Sequence, residues 1–146
     1  MVFLLTLVFL TLANAFPVAI YREELTGTAV CSSADALAHD FTVTLSTDTP
    51  TKGENVTTTF DFTLDAPVTG GIAHYAATLN GFPYTSSAPL CDEVAKTGDP
   101  CPLAAGHHHQ ESVSAATTAG KIVVKITWTS DSGQEILCAQ VTTKTA

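Results

Sequence analysis

The sequence predicts an all-β fold, an antiparallel sandwich of two sheets. Three observations lead there. Apolar and polar residues alternate with period two in several segments. Turn-forming clusters separate those segments, at Pro50 to Gly53, Gly70-Gly71, Asn80-Gly81, Gly98 to Pro100, Gly106, Gly120 and Asp131 to Gly133. Threonine is in excess, at 24 of 146 residues, and its branched Cβ suits a pleated, half-solvated surface.

The elements follow in order. Met1 to Ala15 carries no charge and ends in Ala13-Asn14-Ala15. Roughly 20 apolar residues are needed to cross a bilayer core of about 30 Å, so this run is too short and reads as a secretory signal peptide. Residues 16–146 are then expected to form a single domain. Ser32 to Leu37 offers an N-cap followed by helix formers, and a single helical turn is expected there. Phe41, Val43 and Leu45 share one face of a strand. In Val56 to Leu64, Val56, Phe60, Phe62 and Leu64 face one way, and Thr57, Thr59, Asp61 and Thr63 the other. Tyr75, Ala77 and Leu79 form another face. Phe82-Pro83-Tyr84 falls in a stretch expected to be irregular, and His107 to His109 begins an exposed polar strand. Ile122, Val124, Ile126 and Trp128 line one side of the next strand. A last strand runs from Glu135 to Thr143, and the tail Thr142 to Ala146 is expected to fray. About seven short strands, each with one apolar face, suffice for a sandwich.

Composition excludes several functions. Six Lys and Arg stand against 14 Asp and Glu, a formal charge of −8. Nucleic-acid binding needs basic patches that neutralise phosphates, so no nucleic acid is expected as partner. No polybasic segment is present to hold an anionic membrane. A secreted chain with four cysteines implies two disulfides, and three connectivities are possible. Cys91 and Cys101 flank the turn-rich Gly98 to Pro100 and are candidates to pair locally, which would leave Cys31 for Cys138. Asn55-Val56-Thr57 is an N-glycosylation sequon, with Asn55 as the acceptor.

Motifs that carry chemistry are few. In His107-His108-His109 only His107 and His109 can share a strand face, and no third metal ligand is identifiable, so no metal is assigned. Asp92 and Glu93 are expected to be solvated. No nucleophile elbow, zinc-protease motif or phosphate-binding loop occurs. No catalytic residue and no cofactor are assigned, and the protein is not expected to be an enzyme.

From Leu90 onward the chain resembles the ML-domain family of secreted lipid-recognition proteins. That family includes the Niemann–Pick type C sterol carrier, mite group 2 allergens and fungal phosphatidylglycerol/phosphatidylinositol transfer proteins. The resemblance rests on Leu90-Cys91, on Cys101-Pro102-Leu103 with Gly106, and on Gly120 before Ile122 to Trp128. It continues through Asp131, Ser132 and Gly133 to Ile136-Leu137-Cys138. Upstream, Pro50, Gly53 and the strand to Leu64 match the family's second-strand region. The resemblance implies an immunoglobulin-like sandwich with an apolar cavity between its sheets. It also implies the disulfides Cys91–Cys101 and Cys31–Cys138. By position, the pocket candidates are Phe60, Phe62, Leu64, Tyr75, Val113, Val124, Ile126 and Trp128, with Phe82 and Tyr84 at the mouth. The chain lacks the additional early cysteine pair of the sterol-carrier branch, and its four cysteines are closer to the phosphatidylglycerol/phosphatidylinositol branch.

The function expected is that of a monomeric lipid carrier, secreted or endolysosomal, holding a phospholipid or sterol and touching membranes transiently. The alternative is an extracellular recognition or receptor-accessory sandwich without lipid transfer, which calls for a closed core and a large exposed apolar patch.

Overall fold

The computed structural model describes residues 25–146. The expected signal peptide, residues 1–15, lies outside them. Eight strands and one helix follow in order: β1 (Gly27–Val30), β2 (Ala38–Leu45), β3 (Asn55–Leu64), β4 (Gly71–Leu79), β5 (Phe82–Pro89), α1 (Leu90–Ala95), β6 (Gly106–Ala115), β7 (Gly120–Ser130) and β8 (Glu135–Thr145). They form two antiparallel sheets, one ordered β1-β8-β7-β4-β5 and the other β2-β3-β6. The all-β sandwich read from the sequence is the observed architecture. The strand to Leu64 is the third, because the short β1 precedes it.

Alternation sets which residues meet between the sheets. In β3 the even residues turn inward, and Phe60, Phe62 and Leu64 are buried. A bulge between His39 and Thr42, with Asp40 at φ 52°, resets the parity of β2. Ala38 therefore lies opposite Leu64, while Val43 lies opposite Phe60. Phe41 packs edge-on against Phe60 at 5.3 Å between centroids. From the other sheet, Trp128 meets Phe60 at 5.7 Å and Phe62 at 6.0 Å. Leu90, Val94, Leu103 and Leu137 complete a densely packed end.

Both disulfides are as expected, Cys31–Cys138 tying the chain before β2 to β8, and Cys91–Cys101 closing the loop that contains α1.

Three local expectations are corrected. Ser32 to Leu37 makes only a turn, closed by Ala36 N–H donating to the Ser33 carbonyl at 3.2 Å. The helix lies instead at Leu90–Ala95, where burial of Leu90 and Val94 and the adjacent disulfide hold six residues that are too short to be stable alone. Phe82-Pro83-Tyr84 is regular strand, because Asn80 (φ 49°) and Gly81 (φ 86°) form a two-residue hairpin turn that brings Phe82 opposite Leu79. The C-terminal tail does not fray. Thr145 pairs with Gly120, Lys144 N–H donates to the Asp48 carbonyl at 2.9 Å, and Thr142 and Thr145 are buried.

Candidate functional site

The packed end gives way, further along the same strands, to a cavity of about 250 Å³ between the sheets. One wall is Val56 and Thr58 of β3, Leu45 of β2, and Ser112 and Ser114 of β6. The other is Tyr75 of β4, Ile122, Val124 and Ile126 of β7, and Val141, Thr143 and Thr145 of β8. Pairing explains the selection. Val124 lies opposite Val141, Ile126 opposite Tyr75, and Thr58 opposite Ser112, so each wall is one face of its sheet. The next inward residues after Thr58 and Ile126 are Phe60 and Trp128, whose rings meet at 5.7 Å and begin the packed end. The end of the cavity away from these rings lies among the β2–β3 loop, the β6–β7 connection and the end of β8, whose Pro50, Ala116 and Thr145 line it and are themselves buried.

Of the pocket candidates read from the sequence, Tyr75, Val124 and Ile126 line this cavity. Phe60, Phe62, Leu64 and Trp128 sit in the packed end instead. Phe82 and Tyr84 follow the cavity-facing parity, opposite Leu79 and Ala77. They remain 77% and 66% exposed because β5 is the edge of the larger sheet. Val113 is not brought to the site. It pairs with the outward Thr57, between cavity-lining Ser112 and Ser114, and is 64% exposed on the outer face. Sequence reading missed Leu45, Thr58, Ser112, Ser114, Ile122, Val141, Thr143 and Thr145 as lining residues. Continuing the period-two register from Val56 would have found Thr58. Ser112 and Ser114 carry no apolar signal to find.

The charged groups stand behind the walls. Glu93, expected to be solvated, has a carboxylate only 17% exposed. It accepts a hydrogen bond from the Tyr75 hydroxyl at 2.7 Å and pairs with Lys96 at 2.6 Å. Burial pushes the Glu93 carboxyl upward, but the bonds from Lys96 and Tyr75 outweigh it and hold the group below the usual range. Burial and the Glu93 carboxylate push the Tyr75 phenol well above its ordinary value. Tyr75 is therefore a fixed, neutral donor in the wall.

The histidine run lies across the smaller sheet. His108 turns inward and stacks on Phe62 at 5.1 Å, with its ring nitrogens facing the Asp99 carboxylate and the Ala104 carbonyl. His107 and His109 share the outer face and converge on Asp61, at 3.6 and 2.7 Å. Among the described residues no cluster of three or more such side chains is arranged to hold a metal ion. Asn55, the sequon acceptor, is exposed at the start of β3.

The ML-domain family model matches residues 28–145. The Niemann-Pick type C2 protein of the Japanese carpenter ant superposes with a TM-score of 0.58 at 18% identity, covering 81% of this chain and 98% of that one. Chicken MD-1, solved as a complex with lipid IVa, gives 0.51 at 15% identity, covering 80% and 96%. No curated protein matches the chain by sequence. The two structures share the fold, and the match over residues 28–145 shows that the chain belongs to the ML-domain family.

Proposed function

We propose that this protein binds a lipid between its two sheets and carries it, without covalent chemistry, between membranes. The observation that carries the reading is the cavity itself, apolar in the main and uncharged in its lining. The fold it shares with chicken MD-1, solved as a complex with lipid IVa, supports the reading. Each CH₂ withdrawn from water is worth about 0.8 kcal/mol. A chain of roughly 16 carbons therefore gains on the order of 13 kcal/mol over water, yet almost nothing over a bilayer. Exchange with a membrane is thus near balance and needs no cofactor. At about 250 Å³ the cavity lies just under the ~300 Å³ at which small-molecule pockets begin. Loading therefore parts the sheets.

Membrane contact is brief in this reading, because a chain of charge −8 is not held by anionic lipid. Phe82 and Tyr84, exposed on the edge strand β5, supply the apolar touch. The protein acts as a monomer, reaches the secretory or endolysosomal lumen through residues 1–15, and carries a glycan on Asn55. The two disulfides fit such a compartment.

Native mass spectrometry of the protein purified from secreting cells tests this reading. A co-purifying lipid, two intact disulfides, a glycan and a start near Phe16 are expected together. Ile126→Asp, which places a charge on the cavity wall, is expected to abolish uptake by the delipidated protein. A folded wild-type protein that neither retains nor takes up lipid refutes the proposal and leaves the recognition-module alternative standing.

A further inference from the structure

We infer that the lipid this cavity takes has an uncharged head rich in hydroxyl or ester oxygens, of the acylglycerol class, and not a phosphate. The inference rests on the lipid-binding reading above and specifies its ligand. It comes from the inner face of β6. In a sandwich that face is ordinarily apolar, yet here its positions are His108, Gln110, Ser112 and Ser114, set by pairing with Phe62, Phe60, Thr58 and Val56. His108 and Gln110 are engaged with Asp99. Ser112, Ser114 and the adjoining Thr58 hydroxyl make no side-chain hydrogen bond to any described residue, and all three line the cavity. They form a short row of hydroxyls opposite the apolar wall of Val124 and Ile126.

A hydroxyl both donates and accepts, so such a row suits partners that do the same: alcohols, esters and glycerol. It is poorly suited to a phosphate, which needs cations or several oriented N–H donors. No cation lines the cavity. Lys121 and Lys125 alternate along β7 with the inward Ile122 and Val124, so they point to the opposite face of the sheet, and Lys144 lies opposite Lys121. Lys96 is held by Glu93, whose other carboxylate oxygen accepts from the Tyr75 hydroxyl, and neither charged group lines the cavity. The head group therefore meets neutral hydroxyls on one side and aliphatic side chains on the other.

The test compares two lipids with the same oleoyl chain, monoolein and oleoyl lysophosphatidylglycerol. Each is offered in phosphatidylcholine vesicles to the delipidated full chain at neutral pH. Wild-type protein is expected to prefer monoolein by about tenfold or more, since each neutral hydrogen bond is worth roughly a factor of 2 to 13 in affinity. The variant Thr58→Val with Ser112→Ala and Ser114→Ala removes only exposed or half-buried hydroxyls, and an unchanged urea midpoint confirms its fold. It is expected to lose about tenfold toward monoolein. Equal or tighter binding of the lysophospholipid by wild type, or an unchanged monoolein affinity in the variant, overturns the head-group inference while lipid binding stands. Uptake of neither lipid by wild type overturns both.

Discussion

Two leucines on neighbouring strands of the smaller sheet offer a direct test of whether one end of the sandwich is hollow. Leu64 of β3 is 2% exposed in the packed end, and Leu45 of β2 is half-buried and lines the cavity. Truncation to alanine removes the same three methylene equivalents from each, about 2.4 kcal/mol at about 0.8 apiece if fully buried. At Leu64 the removal also leaves a new closed void among Ala38, Phe62 and their neighbours, raising the cost to about 3–5 kcal/mol. At Leu45 only part of the transfer term applies, and the space vacated joins one already open, so the cost is about 1–1.5 kcal/mol. The difference of about 2 kcal/mol corresponds to about 1 M in urea midpoint for a small domain, where the slope is roughly 1–3 kcal/mol per M. Reversible urea unfolding with the disulfides intact measures it. A bound lipid should add stability to wild type, about 2.7 kcal/mol at a hundredfold excess over Kd, and less to Leu45→Ala. Equal losses for the two truncations would refute the hollow-end reasoning, because they would mean that Leu45 is packed as tightly as Leu64.

Two further perturbations separate other contributions. In the chain-entropy model, the Cys31–Cys138 link, with a sequence separation of 107, contributes about 4.8 kcal/mol, and the Cys91–Cys101 link, with a separation of 10, about 2.8. Paired Cys→Ala variants should differ by about 2 kcal/mol in urea unfolding, and a larger loss from the short link would contradict the model. The His39 ring is held above its ordinary value of 6.5 by its hydrogen bond to Asp65 and then by Asp40, and His109 by Asp61 and then Glu111. His107 also approaches Asp61. Folded values above the unfolded one mean that this stabilisation is complete below about pH 6.5 and is lost as pH rises through the folded values. The stability gap between wild type and His39→Gln with His109→Gln should therefore be wider at pH 5.5 than at pH 8.5, and narrower in high salt because both rings are exposed. A gap that does not change with pH removes the ion pairs from consideration.

What could be read from the sequence follows from what makes a strand visible in it. β3 buries one face along most of its length and β7 carries its apolar Ile122, Val124, Ile126 and Trp128 on one face, so Phe60, Phe62, Leu64, Val124 and Trp128 announce the period. β5 does not. As an edge strand over which no third layer lies, its sequence FPYTSSAP has no reason to alternate, and its two prolines read as irregularity. The inner face of β6 is polar throughout, so an apolar search at its end finds Val113, one position out of phase and on the wrong side. The helix escaped because its six residues show less than two turns of pattern, and what holds it is burial against distant residues. The tail looked free because its partners, Gly120 and the Asp48 and Pro50 carbonyls, are remote in sequence.

The polar inner face of β6 also answers a physical difficulty of a hollow sandwich. Two apolar sheets separated by a gap should close on it, since interiors pack to a density that leaves few voids. Here the stabilising elements are gathered at one end. The aromatic cluster, α1 and the Cys91–Cys101 loop all lie on the far side of Phe60 and Trp128 from the cavity. At the other end the sheets are joined by backbone hydrogen bonds from the end of β8 to the β2–β3 loop, Lys144 N–H to the Asp48 carbonyl at 2.9 Å and Ala146 N–H to the Pro50 carbonyl at 3.3 Å. Closing this end would press Ser112, Ser114 and Thr58 against Val124 and Ile126, burying hydroxyls that have no protein partner. Each such burial costs roughly 1–3 kcal/mol, against a gain from apolar contact on one wall only. Had β6 carried valine in place of Ser112 and Ser114, that penalty would vanish and the cavity would be a place to collapse. The hydroxyls proposed to choose the ligand would therefore also keep room for it.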